Sequence, residues 1–265
     1  VGLAGILVCS MLGGMRAVTW TQVAQYIVLI IAYLIPAIWM STVKTGIPIP
    51  QIMQGQALAN ITALEAAQGI TVNHVTPFVH GGYNALNYFL LILCLMVGTA
   101  SLPHVLMRYF TTPSVREARV SVAWSLLFIF ILYFTAPAYA AFAKWTMLDL
   151  VASGLTPDNI AEKASWMFRW AAADNALVQI CGKAAVDAAA VAAACAEQGV
   201  TNIAFSNISL NADMIVLATP EMAGMPYVIS GLVAAGGLAA ALSTADGLLL
   251  AIANALSHDI YYKMI

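Results

Sequence analysis

Residues 225–256 form a run in which Asp246 is the single charge. A helix needs about 20 apolar residues to cross the hydrocarbon core of a bilayer, and in lipid every backbone group must be bonded within the segment. The run therefore reads as a membrane-spanning helix, and a chain built on such runs has few folds open to it. Stepping about 100° per residue, Gly236, Ala240, Ser243, Thr244, Gly247, Ala251 and Asn254 share one side, with Leu238, Leu242, Leu249, Ile252 and Leu256 opposite. One face is small and polar, the other lipid-like. Such a stripe either packs against other helices or offers oxygens to something held between them.

The rest of the chain is of the same kind. It is 62% hydrophobic and 8% charged, far from the roughly 25% charged residues of soluble domains, so the lipid bilayer is its solvent. A net charge of -2 with no basic patch excludes nucleic acid as a partner, because nothing is present to displace counterions from phosphates. The chain starts at Val1 inside an apolar run, with no initiator Met or signal-peptide region, and reads as a fragment.

Four complete spans and the tail of a fifth are expected: 1–12 (partial, ending at Gly13-Gly14), 20–40, 85–107, 120–143 and 225–256. A short turn over 15–19 joins the first two. Pro36 is expected to kink the 20–40 span or loosen its outer end. The segment 108–119 carries Arg108, Arg116 and Arg119 against Glu117, so the positive-inside rule makes it cytoplasmic. By alternation, loops 41–84 and 144–224 are extracytoplasmic. The first holds Pro48, Pro50 and Pro77 and one short helix near 57–67; the second holds surface helices over 160–173 and 183–197. Tyr261, Tyr262 and Lys263 suit an interface anchor.

Cys9 and Cys94 lie in apolar runs and read as packing residues. Cys181 and Cys195 share the 144–224 loop; in an oxidising compartment they can pair, and spacing leaves that open.

Three places can carry chemistry. Ser243 and Thr244, with the carbonyl of Ala240 a turn earlier, offer the oxygens a hard cation such as sodium takes. The alternative is that each hydroxyl bonds back to its own helix. Asp246 is the one acid deep in a span, and intramembrane carboxylates are costly and commonly functional; it is either a coupling group for a proton or cation, or a structural hydrogen-bonding group. Gly98-Thr99-Ala100-Ser101-Leu102-Pro103-His104 is the third. Pro103 removes a backbone donor, and a helix break inside a membrane persists only where its backbone lines a cavity or is buried in protein. That geometry can hold a small anion. His104 reads either as a packing residue or as a proton relay. Zinc-protease, phosphate-loop and nucleophile-elbow motifs are absent from the sequence, and a lone Asp246 cannot form the paired carboxylates of an aspartyl protease.

The motifs Gly14-Met15-Arg16-Ala17-Val18-Thr19-Trp20-Thr21-Gln22, Gly98 to His104 continuing through Val105-Leu106-Met107-Arg108-Tyr109-Phe110, Leu242-Ser243-Thr244-Ala245-Asp246 and Ser257-His258-Asp259-Ile260-Tyr261 occur in the order of the sodium:solute symporter family, which the chain resembles over nearly its whole length. The second motif with Arg116-Glu117-Ala118-Arg119 resembles the acetate/monocarboxylate branch in particular. The resemblance implies an all-α polytopic membrane helical bundle, a partial LeuT-like inverted-repeat fold holding core helices 5 to 8 and the end of helix 4. It also implies sodium bound at Ala240, Ser243 and Thr244, and solute bound at the broken helix, at Gly98, Thr99, Ala100, Ser101 and His104. The other ligands would come from helices of the same full-length protein outside this chain. The expected partners are a small-molecule solute, Na+ as coupling ion and the lipid bilayer, with no further cofactor.

The function expected is sodium-coupled symport of a small monocarboxylate such as acetate across a bacterial inner membrane. Symport of another solute such as proline, or a transporter-like sensor domain of a signalling protein, are the alternatives. An intramembrane enzyme using His104 and Asp246 would need something to orient residues from different spans, and nothing in the sequence does so.

Overall fold

The structure, a computed structural model, describes residues 2–70, 74–76 and 84–264, the side chains of residues 2, 3, 6, 9 and 10 excepted. The expectations for Cys9 and Pro77 lie outside the described residues. In order, the chain forms α1 (Gly2–Thr45), α2 (Pro50–Ala67), α3 (Ala85–Ala100), α4 (Pro103–Tyr109), α5 (Val115–Ala152), α6 (Ile160–Lys163), α7 (Ser165–Ala173), β1 (Val178–Ile180), β2 (Lys183–Ala184), α8 (Ala188–Glu197), β3 (Ile208–Leu210), α9 (Ile215–Met222) and α10 (Tyr227–Asn254). Met11–Thr45, Val115–Ala152 and Tyr227–Tyr262 are long and apolar enough to cross a membrane, and α3 with α4, bent by 48°, makes a fourth span if the pair counts as one. The class is all-α, a multi-pass membrane helical bundle, with one small antiparallel sheet among the described residues in the order β2-β1-β3.

The chain divides into two compact units: Val1–Ala32, Pro77–Leu132 and Ala235–Ile265 make the first, and Tyr33–Thr76 with Tyr133–Ala234 the second.

In the first unit the break foreseen at Gly13-Gly14 reduces to one residue. Gly14 adopts φ 53, ψ -148, a conformation cheap only without a Cβ, and helix resumes at once. The turn expected over 15–19 is not there. Those residues are helical, and the Thr19 hydroxyl bonds back to the Met15 carbonyl at 2.8 Å. The broken span differs similarly: Gly98 stays helical, and the break falls at Ser101 and Leu102, with Pro103 opening α4 where its missing N–H has no partner to lose. No residue of α3 is buried, as suits an apolar helix bathed in lipid or facing other helices. Cys94 is a free, exposed cysteine rather than the packing residue expected. Beyond Asn254 the backbone continues as a π-helical stretch over Ala255–Tyr262, where the anchor residues were expected.

The second unit owns the hydrophobic core. Helix runs straight through Pro36 to Thr45, so the expected loosening is absent; Gly46 at φ 77 stops it, its N–H bonded to the Thr42 carbonyl at 2.9 Å, a left-handed cap. The loop helix starts earlier than expected because Pro50 occupies its first position. α5 continues past 143, where the loop was expected to begin, to Ala152, and the two charges it carries there are paired: Lys144 with Glu65, and Asp149 with Lys44. The surface helix expected over 183–197 begins only at Ala188, because the Asp187 side chain accepts from the Ala190 N–H at 2.6 Å and caps it. Lys183 and Ala184 instead pair with β1. Cys181 at φ 51 and Gly182 at φ 75 make the two-residue turn between β1 and β2, in the left-handed region a primed hairpin turn requires. The question left open by spacing is resolved: Cys181 and Cys195 form a disulfide, buried with Ile160, Trp166, Met167, Val178, Ile180 and Val191 in one cluster.

Candidate functional site

The small-residue stripe of α10 meets different neighbours at different heights, all within the first unit. At Gly236 a Cβ would stand 2.6 Å from the Cβ of Ala32, so the glycine is what lets α10 approach α1. Two turns on, at Ser243, the stripe changes from packing to polar contact. The Ser243 hydroxyl donates to the Ala240 carbonyl at 2.8 Å and the Thr244 hydroxyl to the same oxygen at 3.4 Å. Each hydroxyl thus bonds back to its own helix, the second of the two readings, with the three oxygens within one turn of one another.

A cavity of about 290 Å³ opens beside them; Gln22, Gln25, His104, Arg108, Ser243 and Thr244 supply its polar groups, in a lining otherwise made by Tyr26, Leu29, Val105 and Ala239. Each wall has a local cause. α1 lines it through Gln22, Gln25 and Tyr26, whose spacing puts them on one helical face. α4 lines it through His104, Val105 and Arg108, one turn apart on the helix that Pro103 begins. α10 lines it through Ala239, Ser243 and Thr244.

Gln22 ties the three helices together. Its Nε2 donates to the Ser243 carbonyl at 2.8 Å, and its Oε1 accepts from Nη2 of Arg108. The Arg108 Nε also donates to the His104 carbonyl, at 3.4 Å. Gly247 adjoins this junction: a Cβ there would lie in ordinary contact with the His104 ring, at 3.4 Å, and with Gln22 Nε2, at 3.5 Å.

Asp246 is 1% exposed and attracts the Arg108 guanidinium electrostatically. Its Oδ2 is 3.0 Å from the Thr21 hydroxyl, which is also 2.9 Å from the Val18 carbonyl. One hydroxyl hydrogen serves one acceptor at a time. Oδ1 has no hydrogen-bond partner, and Nδ1 of His104 and Oε1 of Gln25 are likewise buried and unpartnered. Buried polar groups are normally satisfied, so two exceptions on the cavity wall, Gln25 and His104, and a third at Asp246 on α10 mark this region off from ordinary packing.

The structure thus brings Ala240, Ser243, Thr244, Asp246 and His104 together, and leaves out the other expected solute residues. Gly98, Thr99, Ala100 and Ser101 are exposed; Thr99 and Ser101 spend their hydroxyls on the Leu95 and Gly98 carbonyls, and none of the four lines the cavity. The proline break, which drew attention to them, points the next turn into the site instead. Sequence reasoning gave no site role to Gln22, Gln25 or Arg108. A signal existed for the two amides, since uncharged hydrogen-bonding side chains inside a membrane span are themselves costly. Arg108 was read as a loop charge because the helix was expected to end before it.

Sequence comparison gives this arrangement its context. The profile of the sodium:solute symporter family matches residues 1–164. A protein of Cupriavidus necator described as an uncharacterized symporter is 36% identical over 356 aligned positions, which take in all of this chain and 50% of that protein. A monocarboxylic acid transporter of Corynebacterium glutamicum is 31% identical over 136 residues, 49% of this chain and 24% of that protein. The chain therefore spans at most half the length of these relatives. No solved structure matches. With more than half of its residues matching one family's profile, all of its length aligned to a symporter and its long helices apolar enough to cross a membrane, this chain belongs to the sodium:solute symporter family.

Proposed function

We propose that the full-length protein carries out sodium-coupled symport of a small monocarboxylate, acetate being the type case, across a bacterial inner membrane. The observation that carries the reading is the convergence of the Ala240 carbonyl with the Ser243 and Thr244 hydroxyls beside a membrane-embedded cavity. Hard cations select oxygen ligands of this kind, and transporters assemble them from hydroxyls and carbonyls at helix interfaces. Sodium takes the three oxygens of α10, each hydroxyl turning its lone pairs toward the ion. Asp246, three residues from Ser243, supplies the negative charge that favours a cation nearby and serves in coupling. The solute occupies the cavity with His104 on its wall. Membership of a symporter family and likeness to a monocarboxylic acid transporter support the ion and the solute class respectively.

The test is uptake of labelled acetate by vesicles bearing the full-length protein, with and without a sodium gradient. Wild type is expected to accumulate acetate only with the gradient. The double variant Ser243→Ala, Thr244→Ala is expected to lose most of that stimulation while remaining in the membrane in normal amount. Full sodium activation in the double variant would remove these oxygens from the ion site.

A further inference from the structure

Among the described residues, Arg108 is the one permanently charged side chain on the wall of the cavity. Its hydrogen-bond acceptors are neutral, an amide oxygen and a backbone carbonyl. Asp246 attracts it from a distance, but the nearer contact of that carboxylate is the Thr21 hydroxyl, and among the described residues no ion pair joins Arg108 to an acid. A guanidinium inside a helical membrane bundle is ordinarily matched by an anion, and its planar fork fits a carboxylate with two parallel hydrogen bonds. Among the described residues, the cavity wall therefore holds a cation without its strongest kind of partner.

The neighbouring groups suit the same guest. His104 Nδ1 is unpartnered and, as N–H, donates to an anion. Gln25 also lacks a partner at Oε1, and a half turn of its amide presents Nε2 to the space. The volume, about 290 Å³, lies at the small end of ligand pockets and suits a solute of a few heavy atoms. We propose that Arg108 recognises the carboxylate of the transported solute, which displaces Gln22 from the guanidinium; this deepens the transport reading above and rests on it. Gln22 then links solute to ion. The side chain that yields Arg108 to the carboxylate is the one bonded to the carbonyl of Ser243, so occupation of the anion site alters the turn that carries the sodium oxygens.

Two measurements test this on the full-length protein. In vesicles with a sodium gradient, Arg108→Gln is expected to raise the acetate KM by about tenfold or more, the scale set by losing a charge-assisted pair. Arg108→Lys, which keeps charge without the fork, should fall between. In wild type, modification of Arg108 by phenylglyoxal, followed by mass spectrometry, is expected to be slowed by acetate and not by acetamide. An unchanged acetate KM in Arg108→Gln overturns the assignment, as does Arg108 modification indifferent to acetate, which needs no variant to fold. Wild-type vesicles without sodium-driven acetate uptake would overturn the transport reading, whereas uptake with an indifferent Arg108 overturns this inference alone.

Discussion

The two units of the chain treat their most buried carboxylates differently, although the second also leaves one buried amide oxygen, Oε1 of Gln68, without a hydrogen bond. In the second, Glu65 is fully buried, yet it is paired with Lys144 and accepts the His74 N–H through both oxygens, at 2.9 and 3.2 Å. Around it lie two apolar clusters, one stapled by the Cys181–Cys195 disulfide. In the first, the buried side chains among the described residues are Val18, Ala32 and Asp246, and Asp246 keeps an oxygen without a partner. A region that buries charge and satisfies it spends that charge on its own stability. In the first unit the unpartnered atoms of His104 and Gln25 lie on the wall of one cavity, as polar groups of binding sites do. Stability and function therefore separate by region, and substitutions should separate with them.

The sharpest test of that division is Lys144→Met, which leaves the Glu65 carboxylate buried with only a backbone donor. Loss of one partner of a buried pair costs about 3–5 kcal/mol, to be read as a lower unfolding temperature of the purified full-length protein. Sodium activation of whatever protein remains in vesicles should be unchanged; a variant with altered sodium response would blur the two regions. Replacing Cys181 and Cys195 together by Ser opens a loop of sequence separation 14 and should cost about 3 kcal/mol, again without touching sodium dependence. Its effect should match that of adding a reductant to wild type in the same unfolding assay. On the other side, Gly236→Ala drives a Cβ to 2.6 Å from that of Ala32, and overpacking of this kind costs about 1–3 kcal/mol. Because it wedges α10 from α1 near the oxygens of Ala240 and Ser243, the sodium concentration for half-maximal uptake should rise with it. The smallest effect is assigned to Gly98→Ala. No atom lies within 4 Å of the added carbon, so it should gain about 0.5–1 kcal/mol of helix stability and leave the acetate KM alone. A raised KM would return residues 98–101 to the solute site.

How much of this was legible beforehand depends on the range of the interaction involved. The helix break near Pro103 was foreseen within a few residues, because a missing N–H acts locally. Of the residues it singled out, His104 lines the cavity and Gly98 to Ser101 do not, since residues flanking a break and those aimed by it are told apart only by where the next helix turns. Asp246 stood out by composition as the one acid in its span; that Thr21, 225 residues away in sequence, would be its partner did not. Gln22 and Arg108 show the limit most clearly. Each is unremarkable in its own segment, and their junction with Ser243 exists only once three helices are brought together.

Membrane class, helical architecture and the small polar face of the last span follow from local chemistry, because an apolar run of membrane length must satisfy its own backbone and helical periodicity then assigns each residue a side. The division of that face into a packing height at Gly236 and a polar height at Ser243 came from the fold alone. So did the disulfide, the helix beyond residue 143 and the cavity around Arg108. Each depends on which distant groups become neighbours, and a contact's energy is set by its partner and its burial rather than by residue type.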